Sequence, residues 1–321
     1  MRDLTNQLFF GITEIAFSGE HRIFWGYLLS SLGVAAASCA LASNQKGWQH
    51  LRDALRARYW LNRSSWHDLQ WLTLNKLIGI ALILPLIGGQ LGFSLQVLNA
   101  LTQHLGPGDF WHANALCAAG LLSFILFIGD DFSRYALHRA YHRLPCLWRF
   151  HAVHHSATSL TPLTLYRVHP LEYALNTLRS LVVVGTLSGV FLYTLNGSIG
   201  PLELLGANMF STIFNIAGAN LRHSHFRLGF GRFERWFISP AQHQIHHSAQ
   251  EKHFDRNFGS ALAIWDRCFG SWMSSKGEEV NLFGLTGHSP SAGILTQILG
   301  IDTQPAEAKH HRDQKPLERL F

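Results

Sequence analysis

Three groups of histidines at helical spacing constrain this sequence more than any other feature. Their members are His138 and His142, then His151, His154 and His155, and, much later in the chain, His243, His246 and His247. On a helix, residues three and four apart lie on the same face, so each group projects its imidazoles in one direction. Neutral imidazole is the commonest metal ligand in proteins. Eight such ligands exceed the four of a tetrahedral zinc site, so the pattern predicts a site for two metal ions.

Long apolar runs separate and flank the histidine groups. They cover residues 23–41, 76–98, 114–129, 173–193 and 199–219. A membrane-spanning helix needs about 20 such residues. Pro85 and the pair Gly88 and Gly89 predict a kink or a re-entrant path in the second run. The sequence therefore predicts an all-α, polytopic membrane helical bundle of four to five spans, with a cytoplasmic helical cap that holds a histidine-rich dimetal site.

The distribution of basic residues predicts the orientation in the membrane. Residues 44–66 and 134–149 are rich in arginine, whereas residues 99–113 and 194–198 contain no lysine or arginine. Basic connections stay on the cytoplasmic side, so the first two histidine groups are expected there. The N-terminus does not have the pattern of a cleaved signal peptide. We expect a multi-pass integral membrane protein, with a bacterial inner membrane favoured and an endoplasmic reticulum membrane as the alternative.

The chain reads as a single membrane domain over residues 1–321. Its catalytic region is expected at 110–275, and the polar residues 303–321 have the composition of a disordered tail. The net charge of +6 comes from residues in connections between apolar runs. This favours contact with a membrane surface and argues against a nucleic-acid partner.

Several other chemistries lack their motifs. The four cysteines form no Cys-x-x-Cys pair, so neither a disulfide framework nor a thiolate zinc site is expected. Gln244 occupies the place where a zinc peptidase motif has its glutamate. No phosphate-binding glycine loop and no Ser-His-Asp pattern is present. Oxidation by a redox metal remains the leading interpretation, because an unactivated C–H bond offers no acid–base route. A di-zinc membrane lipid hydrolase is the alternative, and a metal transporter ranks third.

The residues around the histidine groups resemble those of a known family. The groups read HxxxH, HxxHH and HxxHH, preceded by Trp148-Arg149-Phe150 and Ser239-Pro240. Arg167 to Glu172, Asn257-Phe258-Gly259 and Trp265 to Gly270 add to the pattern. Over roughly residues 110–275 this resembles the fatty acid hydroxylase/sterol desaturase superfamily of integral-membrane di-iron enzymes. The resemblance implies two iron ions, O2 as co-substrate, and hydroxylation or desaturation of a lipid such as a fatty acyl chain or a sterol.

The resemblance and the local sequence add further candidate residues. The family often has a histidine after the hairpin formed by the fourth and fifth apolar runs that helps complete the metal cluster, and His223 matches it. His169 and His225 are candidates for a ligand or a supporting donor. Asp131, Asp255, Asn257 and Asp266 are candidates for accepting imidazole N–H bonds, which orient metal ligands. No catalytic residue beyond the metal ligands is expected.

The reaction implied by the resemblance needs two electrons from outside the chain. The sequence contains neither a His-Pro-Gly-Gly haem-binding signature nor a nucleotide-binding glycine motif. A separate electron donor of cytochrome or ferredoxin type, with its reductase, is therefore expected. Basic residues near the site would suit an acidic partner. The other expected partner is a lipid substrate that enters from the bilayer.

Overall fold

The regular structure of the protein is helical. The computed structural model describes residues 16–19, 21–42, 45–79, 89–108, 115–195, 209–285 and 294–298. Within these ranges there is no β-strand, and isolated bridges pair Phe237 with Leu262 and Ser248 with Phe283. The all-α fold class is confirmed. The predicted tail at 303–321 lies outside the described residues.

Twelve α-helices are described. In chain order they are α1 (Trp25–Leu41), α2 (Gln45–Ala54), α3 (Ala57–Trp60), α4 (Arg63–Ile78), α5 (Gly89–Leu105), α6 (Ala115–Arg143), α7 (Pro145–His155), α8 (Pro170–Thr194), α9 (Met209–Ile216), α10 (Pro240–His246), α11 (Ile264–Cys268) and α12 (Ile294–Ile298). Short 3-10 turns lie between them, at Pro162–Tyr166, Ala219–His223, Gly231–Arg235 and Glu251–His253.

Helix α8 is the one described helix that is long and apolar enough to cross a membrane. It starts sharply because Pro170 occupies its first position and the His169 Nδ1 accepts a hydrogen bond from the Leu171 N–H at 3.1 Å. Helix α1 is also apolar but has 17 residues. Part of the second predicted span, with Pro85 and Gly88, and the start of the fifth lie outside the described residues.

Helices α5 and α6 pack against α8 through glycines. Gly185 and Gly189 of α8 are four residues apart and face α5. A Cβ added at Gly189 would lie 2.6 Å from the Ser94 carbonyl oxygen, so any larger residue would force the helices apart. Gly129 of α6 contacts Leu187 of α8 in the same way. Small residues at this spacing are typical of close helix packing in membranes.

Helix α6 joins the apolar region to the histidine-rich cap. It continues without a break from its apolar half into the polar residues after Gly129. Asp131 lies at this transition and is buried. Its carboxylate accepts the N–H groups of Ala261 at 2.7 Å and Leu262 at 3.1 Å, and the indole N–H of Trp265 at 2.9 Å. Asp131 thus holds the C-terminal part of the cap against the end of the apolar half of α6.

Candidate metal centre

Four local structures deliver nine histidines to one place. Helix α6 carries His138 and His142, and α7 carries His151, His154 and His155. The 3-10 turn Ala219–His223 ends in His223. Helix α10 carries His243 and His246, with His247 at its C-cap. The start of α10 is fixed by a capping box, in which Ser239 and Gln242 each accept the other's backbone N–H. All nine belong to the predicted metal ligands.

The nine histidines form two groups. The first histidine group consists of His138, His142, His151, His155 and His246, and the second histidine group of His154, His223, His243 and His247. Within each group one nitrogen per residue lies within 4.8 Å of the others. Metal–imidazole bonds are about 2.0–2.1 Å long, so ligands on opposite sides of an ion lie roughly 4.2 Å apart. Each group therefore has the size of a site for one ion.

The two groups are direct neighbours. The rings of His155 and His247 stack with centroids 4.6 Å apart, and those of His154 and His247 are 4.7 Å apart. His154 and His155 are adjacent in sequence and belong to different groups. The arrangement suits two ions held side by side.

Burial keeps these imidazoles neutral. It lowers the pKa of His151 to about 3, and burial together with the neighbouring His151 lowers the pKa of His154 to about 4. The pKa of His138 falls well below its usual range for the same two reasons. A metal ion requires the neutral form, so the histidines are in the ligating state at neutral pH.

The hydrogen bonds of the Nδ1 atoms in the first histidine group leave the lone pairs of Nε2 atoms facing one another. His138 Nδ1 donates to the Phe258 carbonyl at 2.8 Å, and His151 Nδ1 lies 2.9 Å from the Glu172 carboxylate. A neutral imidazole carries one N–H, so the two Nε2 atoms, 3.1 Å apart, present lone pairs to each other. The Nε2 atoms of His155 and His246 are buried without a hydrogen-bond partner. A positive ion among these lone pairs would satisfy all of them.

The second histidine group shows the same convergence. His223 Nε2 lies 3.0 Å from His243 Nε2 and 3.2 Å from His247 Nε2. His154 Nδ1 donates to the Arg167 carbonyl at 3.2 Å, which leaves its Nε2 as the ligating atom. The residues of both groups therefore fit a metal ion.

Arg167 is itself held by a buried ion pair. Its guanidinium lies 2.7 Å from the carboxylate of Asp68 on α4, and both side chains are almost completely buried. Thr164 donates to the same carboxylate at 2.9 Å, and Arg167 also donates to the Ser64 carbonyl at 2.7 Å. The carbonyl that orients His154 is thus fixed from outside the histidine-rich region.

The remaining candidates lie outside the two groups. His169 caps α8, and its Nε2 lies 3.1 Å from the Ile298 carbonyl. His225 lies 3.2 Å from the Ser159 hydroxyl. Asp266 accepts the Phe258 and Gly259 N–H groups, and Asn257 accepts the Met273 N–H. Neither binds an imidazole, and Asp131 binds the backbone as described above.

Asp255 does lie beside an imidazole, with its carboxylate 3.7 Å from His142 Nδ1. Its φ of 59° is unusual for a residue other than glycine. Glu172 was missed as an imidazole partner by reasoning from the sequence, although it belongs to the segment that resembles the family. The signal for it was an acidic residue two positions after Pro170, at the start of an apolar helix.

The fold and the two histidine groups define an all-helical protein with a buried centre that can hold two metal ions. The fatty acid hydroxylase family model matches residues 123–271. The chain is 27% identical to the ornithine lipid hydroxylase OlsE of Rhizobium tropici, over 95% of this chain and 84% of the relative. Residues 123–271 thus form a fatty acid hydroxylase domain, the relatives that share it are enzymes of the fatty acid hydroxylase/sterol desaturase superfamily, and the protein is an oxidoreductase.

Other relatives match a shorter part of the chain. The alkylglycerol monooxygenase of Xenopus tropicalis is 28% identical over 50% of this chain and 32% of the relative. The lathosterol oxidase of Homo sapiens is 24% identical over 57% of this chain and 54% of the relative. The chain thus spans about a third of the length of the alkylglycerol monooxygenase. No solved structure matches the chain significantly.

Proposed function

We propose that the protein is a membrane-bound di-iron oxygenase that hydroxylates, or desaturates, a membrane lipid. The observation that carries this proposal is the pair of adjacent, buried histidine groups with five and four imidazoles. We propose that the nine histidines bind the two ions. The alternative, a di-zinc lipid hydrolase, would use the same ligands, since imidazole suits both metals.

Bound iron would supply the activation of O2 and the oxidation of a C–H bond. The residues of this chain hold and orient the ligands. Glu172, with the carbonyls of Phe258 and Arg256, accepts imidazole N–H bonds in the first histidine group. The Arg167 carbonyl does so in the second. Burial excludes water from the ligating nitrogens, which protects a reactive centre from side reactions.

The relatives support a lipid as the substrate. A relative that aligns along most of this chain is an ornithine lipid hydroxylase. Relatives that match a shorter part are named for alkylglycerols and lathosterol. We propose an acyl lipid of the surrounding bilayer, with an amino-acid lipid as the first compound to test. It would reach the centre laterally, along the exposed apolar faces of α6 and α8.

We propose a multi-pass topology of four to five spans. Helix α8 supports it by length and composition, and the apolar half of α6 packs against α8. The basic residues that follow this half, Arg134, Arg139 and Arg143, favour a cytoplasmic position for the histidine groups. A bacterial inner membrane is the proposed location, with a separate electron donor of cytochrome or ferredoxin type docking on the cytoplasmic side.

The proposal is tested by metal content and lipid products together. The full chain is expressed with iron supplied, purified in detergent and analysed for metals, and cell lipids are compared by mass spectrometry. We expect about two irons per chain and a lipid that gains one oxygen or loses two hydrogens. His223→Ala, which leaves three histidines in the second histidine group, should lose about one of the two irons and all of the oxidised lipid. His225 is exposed and lies outside both groups, so His225→Ala should keep the iron and the oxidised lipid. Two zinc ions with no oxidised lipid would overturn the proposal in favour of the hydrolase.

A further inference from the structure

One face of the cap carries exposed aromatic rings and arginines together. We call it the arginine–aromatic ridge and define it as residues 231–237 together with Arg267. Phe233, Trp236 and Phe237 each have about half of their surface exposed. Arg232 lies over the Phe233 ring at 5.2 Å, and Arg267 lies 5.9 Å from the Trp236 ring.

The outward surface of the ridge carries positive charge alone. Arg232, Arg235 and Arg267 are exposed. Glu234, the one acidic residue in the ridge, is 1% exposed and points inward. It accepts hydrogen bonds from the Ser239 hydroxyl at 2.7 Å and the Ser275 N–H at 2.9 Å. The charge of the surface is therefore complementary to an anionic partner.

The position of the ridge identifies that partner. The backbone of Trp236 and Ile238 pairs with residues 261–263, through the bonds from Ala263 N–H to the Trp236 carbonyl and from Ile238 N–H to the Ala261 carbonyl, both 2.9 Å. The same strip is bound to Asp131, at the point where α6 stops being apolar. The ridge therefore lies level with the end of the apolar half of α6.

An exposed apolar stripe leads along α6 to this level. Leu121, Phe124 and Phe132 are 40–50% exposed and lie near one face of the helix. Phe132, the last of them, packs against the Trp265 ring at 4.9 Å, and Trp265 also binds Asp131. Aromatic side chains are enriched at the boundary between the hydrocarbon core and the lipid headgroups, and arginine binds phosphate with several donors at once.

We propose that the arginine–aromatic ridge lies in the membrane interface, with its rings at the headgroup level and its three arginines bound to phosphates of anionic lipids. The cap would then rest on the bilayer along this face. Its opposite side, towards Glu251 and Asp255, would remain in water. This proposal concerns the position of the cap on the bilayer and does not depend on the reaction that the metal centre performs.

The position of the ridge is tested by spin labels in lipid nanodiscs. The exposed cysteines Cys117, Cys146 and Cys268 are replaced by serine, and a single label is placed by Phe233→Cys. The matched control is Glu251→Cys, in the 3-10 turn before Asp255, which lies beside His142. His142 is eleven residues beyond Asp131, or about 16 Å further along α6. Iron content of each variant confirms an intact centre.

We expect the label at 233 to be reached by O2, which dissolves in the bilayer, and protected from a water-soluble nickel complex. The label at 251 should show the opposite. Equal access of the nickel complex to both labels would overturn the proposal.

The charge of the partner is tested separately. Relative binding of spin-labelled phosphatidylglycerol over phosphatidylcholine is measured for the full chain and for Arg232→Gln with Arg235→Gln and Arg267→Gln. We expect the preference to fall at least about twofold, since each basic residue near a membrane surface favours anionic lipid. Lys252→Gln with Lys276→Gln should leave it unchanged. An equal preference in the triple variant and the parent would contradict the proposed lipid contact.

Discussion

The two histidine groups differ in number and in electrostatic surroundings, although they are neighbours. The first histidine group has five imidazoles and a carboxylate, Glu172, bound to one of them. The second has four, and no carboxylate is bound to them among the described residues. The pKa of His223 is lowered by burial first, then by His154, Arg22 and Arg222. A carboxylate in contact favours a cation, and the first group also has one more imidazole, so the first group should bind its ion more tightly.

Removing one ligand from each group should give the largest difference in metal content between the two groups. His223→Ala leaves three histidines in the second group, whereas His142→Ala leaves four in the first. We expect His223→Ala to retain about one ion per chain and to lose activity completely, because the chemistry needs both ions. His142→Ala should retain about two ions at neutral pH. Metal analysis with lipid turnover measures both. Equal metal loss in the two variants would show that the groups are equivalent.

The buried ion pair behind the second group should control its stability. Asp68→Ala leaves Arg167 as an unpaired buried charge, which costs about 3–5 kcal/mol. The Arg167 carbonyl that holds His154 would lose its anchor. We expect a lower thermal midpoint and loss of the second ion before the first.

The control for this variant is Asp53→Ala, which breaks an exposed ion pair with Arg56. Exposed pairs contribute little to stability, so this change should leave both the thermal midpoint and the metal content unaltered. A similar loss in both variants would mean that burial of the Asp68 pair has no role.

The carboxylate of Glu172 should act mainly on the first group, where it contacts His151 directly, and only at longer range on His154 of the second. Burial raises the pKa of Glu172 to about 7, and a bound cation would favour its charged form. Glu172→Gln keeps an oxygen that can accept from His151 Nδ1 and removes that charge. Loss of such a supporting partner typically lowers metal affinity about 10–100-fold. Competition with a chelator should therefore release one ion earlier from the variant than from the parent protein. If the variant released both ions as the parent does, Glu172 would not contribute to metal binding in the first group.

Acid should protonate the buried histidines and so destabilise the fold and release the metal ions. A free histidine has a pKa of about 6.5, whereas His154 has a pKa of about 4 and His151 of about 3 in the folded protein. Between these values the two histidines bind more protons in the unfolded chain, so their contribution to folding stability falls as the pH falls from about 6.5 to about 4 and is constant above about 7. Both ions should stay bound at pH 7.

Stepwise dialysis towards pH 4, with metal analysis at each step, checks this expectation. We expect two steps of release, with the ion of the four-histidine group lost at the higher pH. A single step would show that the two ions are bound as one unit.

Most residues of the candidate site could be predicted from the spacing of histidines along the sequence. His138 with His142, and His243 with His246, were recognised because helical periodicity relates sequence spacing to a shared face. The role of Asp131 could not be read in this way. It lies about two and three turns before His138 and His142 on α6, yet its carboxylate binds backbone N–H groups of Ala261 and Leu262, which no local pattern places beside it.

The same limit applies to Glu172 and Asp68. Both are buried acids whose partners come from distant parts of the chain, and a sequence shows neither burial nor long-range pairing. The fold class followed from the apolar runs. The number of spans stays a prediction, because α8 is the one described helix that is long and apolar enough to cross a membrane and parts of other apolar runs lie outside the described residues.

The order of the histidines along the chain gives the second group a role in closing a loop. His154 precedes α8 and His223 follows it, so an ion bound by both would cross-link the two ends of the segment that contains the membrane helix. The entropic cost of closing such a loop rises only slowly with its length, and the free energy of metal binding offsets it. His247 is the last ligand to be synthesised. Metal loading would therefore complete the assembly of the protein after its apolar helices have entered the membrane.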